Sequence, residues 1–283
     1  HFTGFLREAG HKIDGSCYHS KSSNASRSCF PSYMASPHRS SSTSGMRINK
    51  YISRAGVCSR RDADTLVEQG RVTIDGDVVS EHGTRVQEGQ TVRVDGDVVS
   101  PRQFAYILLH KPKDTISTTD DPRDRDTVLE AAGIRADNPK GIFPVGRLDR
   151  NTTGVLLLTN DGDLAHKLMH PRYEIEKIYH VRTKKRVKPH QIDRLKRGID
   201  LDDGRAAADD VAYLDPNRPT DIAIKLHEGR NRQIRRMMEA LGHDVVQLER
   251  VAYGGLTTGR LERGQWRRLR PREIRSLRNR VNR

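Results

Sequence analysis

Three short segments of this 283-residue chain hold side chains in arrangements that chemistry can use. The first is Gly146-Arg-Leu-Asp149-Arg-Asn-Thr-Thr-Gly154, which runs straight into the apolar stretch Val155–Leu158. Asp149 stands between Arg147 and Arg150, in a glycine-bounded loop that feeds a buried strand. Flanking guanidinium groups favour a charged carboxylate, as a catalytic aspartate requires. A purely structural Asp in a turn has the same spacing. The second segment is Glu176-Lys-Ile-Tyr179-His-Val-Arg182. A tyrosine opening a strand ordinarily belongs half to the core, yet it can also stack on a base while its hydroxyl reaches a proton. The third is Glu228-Gly-Arg-Asn-Arg-Gln-Ile-Arg-Arg236, with Arg230, Arg232, Arg235 and Arg236 at an expected helix start. A solvated face is the ordinary account of a charge run. With few acids in this segment, pairing with phosphate or carboxylate is the stronger reading.

Other chemistries find no motif. There is no G-x-x-x-x-G-K-[ST], no G-x-G-x-x-G and no G-x-S-x-G. Cys17, Cys29 and Cys58 lack metal-site spacing. His166 and His170 are four apart, but Lys167 stands where a zinc motif needs Glu. A calcium loop starting at Asp149 fails because Asn160 occupies the position of the bidentate Glu. No metal and no cofactor is expected.

The elements that must position these residues follow from periodicity. Phe104–Leu109 reads as a strand running into the loop His110-Lys-Pro-Lys113, and 114–127 as a loop. Further strands are expected at 154–158, 179–182 and 222–226, and helices at 161–169, 189–197 and 231–241. Strands and helices mix without strict βαβ alternation, so the class is α+β. Upstream, Ile48, Ile52 and Ala55 lie at helical spacing before Gly56. Ser59 caps a second helix, with Ala63, Leu66 and Val67 inward, that ends at Gly70. Val72–Val79 and Val92–Val99 are near-copies, each alternating around an Asp-Gly turn, which is a hairpin signal. The expected organisation is a small helix–helix–hairpin unit at 46–103, a larger unit at 104–275 and a basic tail at 276–283. Arg54, Arg60, Arg61 and Arg71 cluster around the small helices as a solvated face or a phosphate-binding surface.

Residues 1–45 hold 12 Ser, five basic and two acidic residues. Such a stretch buries too little to offset chain entropy, so it is expected to be disordered. It weakly resembles an organelle transit peptide, and a start at Met46 reads equally well. The whole chain has 51 Lys and Arg against 37 Asp and Glu, a formal charge of +14 and a pI near 10.0. A field this positive favours a polyanionic partner. No apolar run of about 18 residues occurs, so no membrane-spanning helix is expected. Three cysteines do not make a disulfide-stapled scaffold.

The small unit resembles the RNA-binding domain named after ribosomal protein S-four. The resemblance rests on Arg47-Ile-Asn-Lys-Tyr-Ile-Ser-Arg-Ala-Gly56, Ser59-Arg-Arg61 and Gly70-Arg-Val-Thr-Ile-Asp-Gly76. The whole of 46–275 resembles the ribosomal RNA pseudouridine synthases that join such a domain to a catalytic one. The matching stretches are Phe143-Pro-Val-Gly-Arg-Leu-Asp149, Thr152–Gly162, Leu168-Met-His-Pro-Arg-Tyr-Glu174 and Glu228–Met237. Met169–Glu174 and Asn231-Arg-Gln233 resemble group B of the large-subunit branch rather than the small-subunit branch. The resemblance implies a larger, mainly antiparallel β-sheet domain with flanking helices. It implies isomerisation of a specific uridine in large-subunit (23S) ribosomal RNA. Asp149 would then be the catalytic aspartate, Tyr179 the active-site tyrosine on the target base, Arg235 the partner of the aspartate, and Leu261 a pocket-lining residue. RNA contacts are expected from Arg54, Arg60, Arg61, Arg71, Arg147, Arg230, Arg232 and Arg236. A monomer in the bacterial cytoplasm, with ribosomal RNA as its partner, is the expectation. The alternative is a non-catalytic rRNA-binding assembly factor.

Overall fold

The computed structural model describes residues 45–119, 121–123, 125–134 and 141–282. The readings of residues 1–44 lie outside this set. In the N-terminal unit, β1 (Met46–Arg47) leads into α1 (Ile48–Ala55), which stops at Gly56 in the left-handed region. In α2 (Arg60–Glu68), the Ser59 hydroxyl accepts the Asp62 N–H at 3.2 Å and satisfies one orphan donor of the first turn. β2 (Val72–Ile74) and β3 (Asp77–Val78) form one hairpin. β4 (Arg85–Val86) pairs back with β1, and β5 (Val92–Val94) and β6 (Asp97–Val99) form the second hairpin. Asp75-Gly76 and Asp95-Gly96 all have positive φ, the backbone that a tight two-residue hairpin demands. Antiparallel pairing of β2 with β5 joins the hairpins into one sheet in the order β3-β2-β5-β6. Ile48, Ile52, Ala63, Val67, Val72 and Val92 are fully buried between that sheet and the two helices.

The larger unit begins with β7 (Tyr106–Lys111), α3 (Val128–Ala131), β8 (Phe143–Pro144) and β9 (Thr153–Thr159). It continues through α4 (Gly162–Met169), β10 (Lys177–Thr183), α5 (Pro189–Arg197), β11 (Ile199–Leu201), β12 (Gly204–Ala206), β13 (Asp210–Tyr213) and β14 (Asp221–Leu226). The last elements are α6 (Gln233–Glu239), β15 (Val245–Tyr253), β16 (Leu256–Thr257), β17 (Trp266–Arg268) and α7 (Pro271–Arg280). The main sheet has the order β13-β14-β10-β15-β9-β7-β17, with β8 and β16 attached to β9 and β15. Every pairing in it is antiparallel except β15 with β9. β7 and β9 are buried along their whole length, which explains their unbroken apolar runs. Among the described residues no helix is long and apolar enough to cross a membrane.

One expectation is corrected. Residues 276–282 are not a loose tail: α7 runs to Arg280, and Leu277 and Val281 pack with Tyr106, Leu108 and Leu157. Ile274, Leu277 and Val281 have helical spacing, but the density of arginines around them masks the stripe in the sequence. The two units touch through the Lys50–Asp163 ion pair. The Arg54 guanidinium also lies 4.4 Å over the Phe104 ring, while Arg102 ties the end of the small unit to its first helix by hydrogen bonds to the Arg54 and Ala55 carbonyls.

Candidate active site

Strand register builds the base of the site. Tyr179 on β10 pairs with Arg250 on β15, Arg250 with Gly154 on β9, and Gly154 with Lys111 on β7. These four residues therefore form one row across four adjacent strands. Gly154 has φ 110°, and a Cβ there would sit 2.2 Å from the Arg250 carbonyl oxygen, so only glycine lets the strands meet.

Asp149 sits in the loop between β8 and β9. Its neighbour Leu148 is buried, and the Ser117 hydroxyl both donates to the Leu148 carbonyl and accepts from the Leu148 N–H, each at 3.0 Å. Thr152 N–H donates to the Asp149 carbonyl at 2.9 Å, closing the turn. Beneath the turn, fully buried Lys111 directs its Nζ at the carbonyls of Pro112, Arg150 and Thr152 at 3.1, 3.2 and 3.0 Å. Burial pulls the Lys111 ammonium down to about 8, against the opposing pull of Asp149 and Asp114.

Arg235, on the first turn of α6, points its Nε to within 4.0 Å of Asp149 Oδ2. Its side chain is 13% exposed and that of Asp149 33%. Arg235 Nη1 donates to the Val245 carbonyl at 3.3 Å, while its Nε is buried without a hydrogen-bond partner. Burial, with Arg232 nearby, lowers the Arg235 pKa, and Asp149 and Glu239 resist the shift. Asp149 and Tyr179 open into one cleft of about 1020 Å³. Leu226, Ile234, Leu248 and Tyr253 supply apolar wall, and Lys177 and Arg250 add cationic side chains. Burial, and then Arg250, pull the Lys177 ammonium down to about 8.

The structure brings Asp149, Tyr179, Arg147, Arg230 and Arg232 to this cleft, with Arg235 alongside Asp149. It does not bring Leu261 there. That residue lies in the β16–β17 connection, where its carbonyl accepts from His110 Nδ1 at 2.8 Å. The third segment's arginines pair with carboxylates, one of the two pairings its sequence suggests: Glu228 of the segment lies 3.3 Å from Arg230, and the other acids come from outside the segment. Asp203 of the β11–β12 turn holds Arg236 in a two-pronged contact at 2.9 and 2.8 Å, and its carboxylate lies 3.6 Å from Arg230. Glu239 pairs with Arg232 at 3.8 Å. In the small unit, Arg71 is likewise forked onto Asp95. Arg60 and Arg61 are exposed and, with Arg54, line a second cavity of about 630 Å³ between the units. Sequence reasoning missed Lys111 and Arg250. For Lys111 the available signal was a full charge at the end of an apolar strand run, where an unpaired cation is costly; Arg250, in a stretch broken by Gln247 and Glu249, gave no such signal. Among the described residues no group of three or more His, Cys, Asp or Glu side chains is placed to hold a metal ion.

Comparison with known proteins places most of the chain among RNA pseudouridine synthases. The family model for RNA pseudouridylate synthase matches residues 105–240, and that for the S4 domain matches 46–92. The ribosomal large subunit pseudouridine synthase B of Bacillus subtilis is 42% identical over 235 residues, covering 82% of this chain and 95% of that protein. The enzyme of the same name from Vibrio vulnificus is 37% identical, covering 83% of this chain and 75% of its own length. The crystal structure of a pseudouridylate synthase aligns with a TM-score of 0.59 at 26% identity, covering 82% of this chain and all of that one.

Proposed function

The chain belongs to the RNA pseudouridylate synthase family, whose members are isomerases acting on RNA, and from that premise we propose that it converts a specific uridine of large-subunit (23S) ribosomal RNA to pseudouridine with Asp149 as its catalytic carboxylate. The observation that carries this reading is the Asp149–Arg235 pair at 4.0 Å, in a cleft that Tyr179 also lines. Residues 46–103 serve as the RNA-binding unit and 104–282 as the catalytic one.

The chemistry breaks the bond from ribose C1′ to uracil N1, turns the base, and joins C1′ to C5. Asp149 attacks the sugar or removes a proton from it. Arg235, nearly buried beside it, steadies the carboxylate between these roles. Tyr179 forms a stacking wall that keeps the detached base from escaping, and the apolar wall excludes water. Extruding the target nucleotide costs about a few kcal/mol, which phosphate contacts at the exposed Arg147 of the cleft rim and at the exposed Arg60 and Arg61 of the small unit offset.

Carbodiimide labelling of ribosomal RNA followed by primer extension reads the product directly. Deleting the protein should remove one stop, wild type should restore it and Asp149→Asn should not. Restoration by Asp149→Asn would instead identify an assembly factor, and release of free uracil would identify a hydrolase.

A further inference from the structure

Arg250 is the one fully enclosed arginine among the described residues, and it is poorly satisfied. Its residue is 3% exposed, yet its only hydrogen bond runs from Nε to the Val155 carbonyl at 2.8 Å. Its guanidinium carbon lies 4.7 Å from the centre of the Tyr253 ring. Its Nη2 is buried with no partner, and among the described residues no carboxylate oxygen comes within 4.0 Å of the group. Lys111, one strand pair away, spreads its charge over three carbonyls. A guanidinium has five N–H donors, and burying it with most of them idle works against folding. Such a group is explained if something that enters the cleft later supplies the oxygens.

Register says which part of the substrate that is. Arg250 pairs directly across from Tyr179, so their side chains rise from the same face with Cβ atoms about 5 Å apart. Arg250 therefore lies beside the edge of a uracil stacked on Tyr179, where a carbonyl oxygen can reach it. A phosphate, which stays hydrated, belongs at the rim with the exposed Arg147. Arg235 lies toward Asp149, 4.0 Å from its Oδ2.

We infer that Arg250 is a second cationic catalytic residue, whose free N–H donors bind the uracil carbonyl oxygens and stabilise the uracil anion formed when the base leaves the sugar. This rests on the uridine-isomerising reading above. In the step concerned, the C1′–N1 bond breaks and its electron pair stays on uracil, spread over N1, O2 and O4. C1′ becomes bonded to the Asp149 carboxylate, or a sugar proton passes to Asp149. Afterwards C5 of the turned base bonds to C1′ as the C1′–O bond to Asp149 breaks, or, on the other route, as Asp149 returns the proton to the sugar. The C5 proton is then lost, N1 takes one up, and Asp149 is again a carboxylate. Arg250 neither gains nor loses a proton. It acts on charge that exists only once the bond begins to break, and such donors raise the chemical rate rather than the affinity.

The test uses the full chain, a large-subunit rRNA transcript carrying the mapped uridine, and the same transcript with 5-fluorouridine. Fluorine stabilises the uracil anion and so replaces part of what Arg250 provides; because 5-fluorouracil has no C5 proton to release, both transcripts are read at cleavage of the C1′–N1 bond. For Arg250→Gln, single-turnover loss of uridine should slow by about 100-fold or more, with RNA affinity changed less than about threefold. That penalty should shrink at least about tenfold on the 5-fluorouridine transcript, and millimolar guanidinium should partly restore the rate. Arg250→Lys should keep more activity and show a smaller fluorine effect, and it decides the matter if the Gln variant does not fold. Equal losses on both transcripts, an unchanged rate, or a loss of affinity alone overturns the inference, the last assigning Arg250 to phosphate. If wild type converts uridine while the variants behave in one of these ways, only Arg250's role falls. If wild type converts none, the parent reading falls and takes this one with it.

Discussion

Lys111 is the side chain on which the Asp149 turn rests, and its burial makes it a pH sensor of folding. Its pKa is pulled from 10.5 to about 8 in the folded protein. Below about 8 both folded and unfolded chains hold the proton. Between that point and 10.5 only the unfolded chain does, so this group makes stability rise with pH across that window. The stability of wild type relative to Lys111→Met, read from urea midpoints, should therefore grow between pH 8 and about 9.5. Tyr106 and Tyr253, pushed up to about 12 mainly by burial, titrate above it. A flat difference would show that Lys111 carries no buried charge. The same variant unties three carbonyls and should slow turnover by about tenfold or more, because small displacements of a reacting group are costly. Asp149 was legible in the sequence as a candidate, framed by glycines and arginines, and only the family resemblance set it above a structural turn residue. Lys111 was not, because it closes an apolar run and its partners are backbone oxygens that no side-chain pattern reveals.

Gly154 joins two strands where any side chain would collide with backbone. Gly154→Ala should cost more than about 3 kcal/mol or prevent folding, as measured by thermal denaturation. Gly162→Ala is the control: its added Cβ meets nothing within 4 Å, so the change should stay within about 0.5 kcal/mol. On the last helix, Leu277→Ala should cost about 2–4 kcal/mol, since Leu277 is fully buried among Leu108, Leu157 and Tyr253. A loss under about 0.5 kcal/mol would return α7 to the status of a tail. Most strands and helices were readable from their periodicity and caps. β15 was not, because Gln247, Glu249 and Arg250 break up its apolar residues. It is nonetheless a central strand, since its neighbours β10 and β9 cover both edges.

The formal charge of +14 is distributed less freely than the arginine count suggests. Arg71, Arg230, Arg232 and Arg236 are engaged with acids, whereas Arg60 and Arg61 have no carboxylate within 4.0 Å among the described residues. Arg60→Ala with Arg61→Ala should therefore weaken binding to the rRNA transcript about five- to tenfold and lower the slope of log affinity against log salt by about 2. Arg71→Ala should change affinity less than about twofold. Equal effects of the two would mean that the Asp95 pairing does not screen Arg71 from RNA.

Local pattern alone determined the α+β class, the paired Asp-Gly hairpins, the candidate pair Asp149 and Tyr179, and the absence of nucleotide-loop and metal-ligand motifs. These depend on neighbours within a few residues, which the chain order states directly. Tertiary structure decided which arginines remain available, that Leu261 stands away from the cleft, that the last helix is core, and that Arg250 lies beside Tyr179. Each of those is set by residues tens of positions apart meeting across a sheet or a turn. In such contacts charge, burial and hydrogen bonding depend on register, not on spacing along the chain.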